Sequence, residues 1–345
     1  MSAAADIFEQ QAFHCRDLGS PFTADLCLAF GKNLDSQTAV GRLINSWAGN
    51  PSYRADAVPL RLCGGLHALV LLERDGELHS AYPPRCIKIP DWALIERVLN
   101  DHEAFLLDWM KSPPQTNEVQ RSNAIWPALQ TIAATTKRQI ALWEIGASAG
   151  LNLQMDRFAF DHGGQMSGTA DSAVFLRPNW DGPVPPNQRV EIIDKAACDL
   201  NPLDPADKQA QLRLMSYLWP DQEDRKRRTA GALSLAQAHP VVVEKMDAIE
   251  WLRERLAHRQ PDACTVIYTT IAWQYLPDAA KAQGEAMIRA AGEAATADQP
   301  LAQVHMEGDG ESPGAAITLK LWPDGVDAKL GRVDFHGRWL KWHGL

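Results

Sequence analysis

Gln139-Ile140-Ala141-Leu142-Trp143-Glu144-Ile145-Gly146-Ala147-Ser148-Ala149-Gly150-Leu151-Asn152-Leu153 is the stretch that sets the fold of this chain. A short apolar run ends at Glu144-Ile145, glycines follow at 146 and 150, and a new segment starts at Leu151. An apolar run of this length suits a strand buried on both faces. The glycines let the backbone turn tightly and approach another group, and the start of a helix presents N–H groups without internal partners. Strand, bend and helix are therefore expected, with the bend facing a small ligand.

Downstream of this stretch, strands and helices alternate. Strands are expected around Val190 to Ile193 or Ala196 to Leu200, at Val241 to Val243, Thr265 to Thr270 and Leu301 to Met306. Helices are expected at about Gln209 to Gln237, Ala248 to Arg259 and Ala279 to Ala294. Such alternation predicts an α/β fold with a doubly wound, mostly parallel sheet covered on both faces. Ala316 to Trp322, Leu330 to Phe335 and Arg338 to Trp342 are joined by turns such as Pro323-Asp324-Gly325, so an antiparallel hairpin should close the sheet. Residues 161–188, rich in Gly, Pro and polar side chains, are an expected insertion or lid between the first two core strands.

Upstream, residues 1–112 have helical spacing and form an expected N-terminal helical cap, with Asp91 as an N-cap. Residues 113–345 form the expected Rossmann-like domain. Its entry, Pro113 to Arg121, brings an extended segment to a helix start where Thr116 or Asn117 can cap; Asn117, Glu118 and Arg121 then cluster as substrate-contact candidates or as local caps and ion pairs.

Composition narrows the function class. The 345 residues are 46% hydrophobic and 22% charged with a formal net charge of -9, so a core can form and the basic footprint of a duplex nucleic-acid binder is missing. A small-molecule or protein partner is expected instead, with oligomeric state left open. The cluster Arg225 to Arg228 sits among Asp221, Glu223 and Asp224 and reads as a solvated helix face. Met1 to Glu9 lacks a basic and apolar leader pattern, and no run of about 18 apolar residues occurs, which predicts a cytoplasmic protein without a membrane span. The six cysteines and ten histidines show no metal-ligand spacing, so no metal site is expected and the thiols should be reduced and mostly buried.

Three acidic positions follow strands: Glu144, then Asp199 in Cys198-Asp199-Leu200-Asn201, then Asp247-Ala248. In doubly wound sheets ligands bind beyond the carboxyl ends of strands, so these carboxylates should converge on one crevice and accept from hydroxyls, amines or an adenine amino group. Each also serves well as a cap or turn residue.

Glu144-x-Gly146-x-Ser148-x-Gly150, an acidic second strand end, Asp247-Ala248 after the third and the closing hairpin together resemble class I S-adenosylmethionine-dependent methyltransferases over roughly residues 110 to 345. Gln115 to Arg121, Glu144 to Leu153, Asp199 to Asp204, Leu218 to Gln222 and Gln274-Tyr275-Leu276 look like the bacterial domain-of-unknown-function family 2332. The resemblance implies a seven-stranded sheet and S-adenosylmethionine as cofactor. Gly146, Ser148 and Gly150 would lie along the methionyl end, Asp199 at the ribose and Asp247-Ala248 at the adenine; Ala147 and Asn152 complete the expected contacts. Ser148 stands where the methyltransferase pattern prefers glycine. Trp273 and Tyr275, after the fourth strand, join Asn117, Glu118 and Arg121 as substrate candidates.

Gly146-Ala147-Ser148-Ala149-Gly150 also satisfies G-x-S-x-G, the nucleophile elbow of α/β-hydrolases, with Ser148 as nucleophile and Asp278 with His305, or Asp309 with His336, as nominal partners. A third reading keeps the fold as a non-catalytic nucleoside-binding or interaction module.

Overall fold

The computed structural model describes residues 3–53 and 55–345. The chain divides into two compact units, Met1–Thr116 with Ala206–Arg227, and Asn117–Pro205 with Arg228–Leu345. The second segment of the first unit lies inside the span 113–345 that the sequence assigns to one domain.

The first unit is helical. It holds α1 (Ala3–Asp17), α2 (Pro21–Asn33), α3 (Ala39–Asn45), α4 (Val58–Leu71), α5 (Gly76–Ser80), α6 (Trp92–Asp101) and α7 (Glu103–Trp109). Asp91 caps α6 as expected, accepting from Leu94 N–H at 2.9 Å. The helix α4 is apolar almost all round and is buried accordingly, with Leu62 and Leu66 packed among Phe8, Phe22 and Phe30. After α8 (Ser122–Thr136) in the other unit, α9 (Lys208–Ser216) returns to this one. A methyl group on Gly64 of α4 would stand 2.4 Å from the Tyr217 ring, so only glycine admits that ring against the helix. The Leu218 to Gln222 stretch is a strap. Asp221 accepts from Phe22 N–H at 2.9 Å and from Ser20 Oγ at 2.5 Å, while Gln222 Nε2 donates to Leu18 O at 3.0 Å, which fixes the α1–α2 turn. All six cysteines are free, and Cys86 is the one not buried.

The second unit is the α/β body. Its strands are β1 (Gln139–Ile145), β2 (Ala159–His162), β3 (Gln165–Gly168), β4 (Phe175–Leu176), β5 (Asn179–Asp181), β6 (Ile192–Asp199), β7 (Val243–Lys245), β8 (Ala263–Thr270), β9 (Leu301–Glu307), β10 (Ala315–Trp322), β11 (Val326–Val333) and β12 (Trp339–Trp342). The expected seven-stranded sheet is corrected to nine strands in the order β5-β12-β11-β10-β9-β8-β1-β6-β7. The central five are parallel, β9 to β12 form an antiparallel meander, and β5 joins the far edge alongside β12. The extra strands arise because the final turns lead the chain back beside its own last strand each time, and the insertion supplies β5.

Trp143, Ile145, Cys198 and Ile267 line one sheet face against α11 (Ala248–Leu256) and α12 (Asp278–Glu293), which α10 (Glu223–Ala238) precedes. The Gln209 to Gln237 helix expected from sequence is thus two helices, α9 and α10, interrupted at Leu218 to Gln222. α8 covers the other face, where Glu144 and Tyr268 sit side by side in register.

The insertion forms a three-stranded sheet, β3-β2-β4, and donates β5 to the main sheet. A ladder of rings ties it down: Trp126 on Phe160 at 5.0 Å, Phe160 by His162 at 5.4 Å, His162 on Trp180 at 4.8 Å and Trp180 by Trp342 at 5.8 Å. Burial holds the His162 imidazole neutral, with its pKa pushed down to about 3.

Candidate functional site

Chain order reverses at β1. From it the chain runs to β6 and β7 on one side and to β8 and β9 on the other, so the carboxyl ends of β1 and β8 bracket the switch point where open α/β sheets bind ligands. Backbone strain gathers there. Ser148 after β1 has φ 53° and Ile271 after β8 has φ 52°, a left-handed conformation that is costly for a β-branched residue. Gly146, at φ 77°, is exposed, and a Cβ on it would come within 2.5 Å of Ala272 Cβ, so the bend and the loop after β8 touch.

The bend differs from the amide-lined helix start expected from sequence. Gly146 and Ala147 N–H donate to Cys198 O at 2.9 and 3.2 Å, Ser148 N–H to Asp199 Oδ2 at 2.8 Å, Gly150 N–H to Ala147 O at 2.8 Å and Leu151 N–H to Asn117 Oδ1 at 2.9 Å. The residues that follow, Leu151–Arg157, form a 3-10 turn rather than an α-helix. These five donors are spent on holding the bend and are not free for a phosphate. Ala147, Gly150 and Asn152 are buried.

Asp199 ends β6 half-buried and aims at the bend; its Oδ1 also accepts from Asn201 N–H at 2.8 Å. Asp247 is exposed beyond β7 and caps α11, with Oδ1 accepting from Ile249 N–H at 2.9 Å; Ala248 begins that helix. Beneath the bend, Glu144 is buried, its Oε2 lacks a hydrogen-bond partner, and Tyr268 stands across from it. Burial is the main reason its pKa is pushed up to about 8; the Asp199 charge adds to this, while the Tyr268 hydroxyl and the Arg121 charge act against it. Glu144 is therefore a neutral acid at neutral pH.

The entry segment grips the same corner. Asn117 does not cap a helix but accepts from Leu151 N–H, and Glu118 caps the turn Val119–Arg121 by accepting from Gln120 N–H at 3.1 Å. Asn152 Nδ2 donates to Glu118 O at 3.3 Å, and Ser122 Oγ to Asn152 Oδ1 at 2.9 Å. Arg121 spans two loops, donating to Thr270 O and to Phe335 O, each at 3.1 Å. Of the substrate candidates after β8, Trp273 packs into the core under α12 and Tyr275 stands on the surface. Sequence reasoning missed Tyr268, Ile271, Glu307 and Phe335. Nothing local marks them, since each gains its place only when strands far apart in sequence pair.

Among the described residues no group of three or more His, Cys, Asp or Glu side chains is placed to hold a metal, and no helix is long and apolar enough to cross a membrane. The family comparison matches residues 5–342 to the family described as an uncharacterized protein conserved in bacteria, DUF2332. The chain belongs to that family. Neither a curated protein nor a solved structure matches it.

For a nucleophilic serine, this DUF2332 member offers a strained Ser148 whose Oγ is buried and has no hydrogen-bond partner. Three of the nominal triad partners are engaged elsewhere. His305 Nδ1 lies 2.7 Å from Thr269 Oγ1 and its Nε2 3.4 Å from Glu285, Asp278 pairs with Lys281, and Asp309 is bridged by Arg332 and Lys329.

Proposed function

We propose that the α/β unit binds a nucleoside carrying no phosphate, S-adenosylmethionine being the expected one, and transfers its methyl group to a small-molecule or protein acceptor. The observation that carries this reading is the division of labour at the rim of β1, β6 and β7: the amides of Gly146, Ala147, Ser148, Gly150 and Leu151 are paired within the protein, while the acceptors Asp199, half-buried, and Asp247, exposed, stay open to solvent. A phosphate needs donors and would meet carboxylates here; ribose hydroxyls, an adenine amino group or a cationic sulfonium need acceptors. The residues present therefore suit this cofactor better than a dinucleotide.

Asp199 would hold ribose hydroxyls through the lone pairs left free by its two backbone donors. Asp247 would receive the adenine amino group, and Gly146 would leave its exposed backbone clear of the ligand. When bound, the sulfonium supplies an already activated methyl group, so the protein's contribution is alignment of donor and acceptor rather than a strong base.

Titration calorimetry with S-adenosylmethionine and S-adenosylhomocysteine tests this. Saturable heat is expected with both, weakened roughly tenfold in Asp199→Asn, which keeps an acceptor for Ser148 N–H, and in Asp247→Ser, which keeps the α11 cap. No heat with either compound, or tighter binding of ATP, would overturn the proposal. The strain at Ser148 favours one second reading, an α/β-hydrolase. A fluorophosphonate label recovered on Ser148 would select it.

A further inference from the structure

We infer that a cleft beside β6 captures a small carbonyl compound bearing an anionic group, as an imine of Lys195, with Arg157 taking the anion. The site is distinct from the carboxyl rim: Lys195 precedes Asp199 on the same strand by about 13 Å. The cleft exists because β7 is short. Val243–Lys245 pair only with Ala197–Asp199, so residues 192–196 of β6 have no strand alongside on that flank. The space between them and residues 238–242 is about 830 Å³, within the usual range of small-molecule sites. Side chains tie its walls down. Gln154 Nε2 donates to His239 O at 2.9 Å, Thr169 Oγ1 to Asp156 O at 2.9 Å and Ser172 Oγ to Arg157 O at 2.6 Å.

Lys195, Asp156 and Arg157 line this cleft together. Lys195 is in register with Leu142 of β1 and shares its sheet face, whereas Asp194 beside it projects to the opposite face. Lys195 Nζ lies 2.6 Å from Asp156 Oδ1, and the lysine side chain is 14% exposed. Burial pulls the ammonium below its ordinary pKa; Asp156 opposes this and the Arg157 charge adds to it. More neutral amine is therefore present than on an exposed lysine, and the neutral amine is the nucleophile. Arg157 Nε is buried without a hydrogen-bond partner, and no ion pair engages its guanidinium among the described residues, whereas Arg255 of the same cleft is matched by Glu244 at 2.5 Å. An unmatched guanidinium beside an amine that already has its carboxylate suits a ligand with one carboxylate or phosphate. In the reaction the Lys195 ammonium passes a proton to Asp156, and the free amine attacks the carbonyl carbon. A proton then moves from the new C–N nitrogen to the oxygen. Asp156 returns its proton to the resulting hydroxyl, which leaves as water as the C=N bond closes. The product is a protonated imine, and nothing is oxidised or reduced.

The test compares succinic semialdehyde with butanal, which matches its carbon chain but lacks the carboxylate. Each is incubated with the full chain and sodium cyanoborohydride near neutral pH, which reduces an imine to a stable secondary amine, and the labelled lysines are mapped by peptide mass spectrometry. Succinic semialdehyde is expected to label Lys195 at least about tenfold faster than Lys111, whose side chain is 75% exposed, and at least about tenfold faster than butanal labels Lys195. Arg157→Gln should abolish the preference between the two aldehydes at Lys195 and leave labelling of Lys111 unchanged, while Arg157→Lys should retain part of the preference. Labelling of Lys195 no faster than Lys111, or equal rates with the two aldehydes, overturns the inference in the parent protein alone. A preference that survives Arg157→Gln overturns it as well.

Discussion

Glu144 shows how a residue legible in sequence takes its chemistry from its neighbours. Its place before the glycines is local information, but its neutral state follows from burial between Tyr268 and the bend. The sign of the resulting pH dependence is fixed by linkage. The folded-state pKa, about 8, lies above the ordinary carboxylate value, so the folded chain holds the proton more tightly. Its contribution is fully present below the ordinary carboxylate range and is lost as pH rises toward 8, at roughly 1.4 kcal/mol for each pH unit climbed. Glu144→Gln, which mimics the neutral acid, is expected to match the parent near pH 5 and exceed its stability near pH 9 in urea titrations. A variant equally destabilised at both pH values would place an ionised carboxylate in the native state instead. Asp199 and Asp247 are likewise visible as strand-end acids, and Asp247 caps the next helix locally, but the main partner of Asp199 is not local: only pairing of β6 beside β1 sets its Oδ2 against Ser148 N–H.

At the scale of elements, propensity located most strands and helices to within a few residues, and the departures have physical causes. Leu151 to Arg157 tightens into a 3-10 turn because its first amide is taken by Asn117 and the chain must enter β2 directly afterward. Pro220 and Asp221 break what reads as one long helix, because Asp221 is committed to the start of α2. Residues 161–188 lack a strong periodic pattern, yet stacked rings from α8, β2, β5 and β12 hold them. That ladder is checked by hydrogen exchange. Amides of β2 should be well protected without ligand and should open at least about tenfold faster in Trp180→Ala, since removing an aromatic that bridges two sheets costs on the order of 2 kcal/mol. Unchanged exchange in that variant would mean the ladder is incidental, and protection that appears only with S-adenosylmethionine would make the insertion a lid after all.

For the whole molecule, charge and topology constrain function differently. With a formal net charge of -9 and Arg225 to Arg228 interspersed with acids, the overall charge opposes the gathering of a polyanion. Fluorescence anisotropy with a labelled DNA duplex at low salt should therefore show no saturable binding; a salt-dependent affinity in the submicromolar range would contradict the small-ligand reading. Composition and periodicity determined, by themselves, an α/β body with a glycine bend after its first strand and a helical region before it, because burial patterns and turn chemistry are properties of short segments. Tertiary structure alone decided that the sheet has nine strands, that Ser148 of the bend spends its amide on Asp199, and that the loops after β8 and β11 meet at Gly308. Each of these depends on which distant strands become neighbours, and that choice is made by packing across the sheet faces rather than by any local pattern of residues.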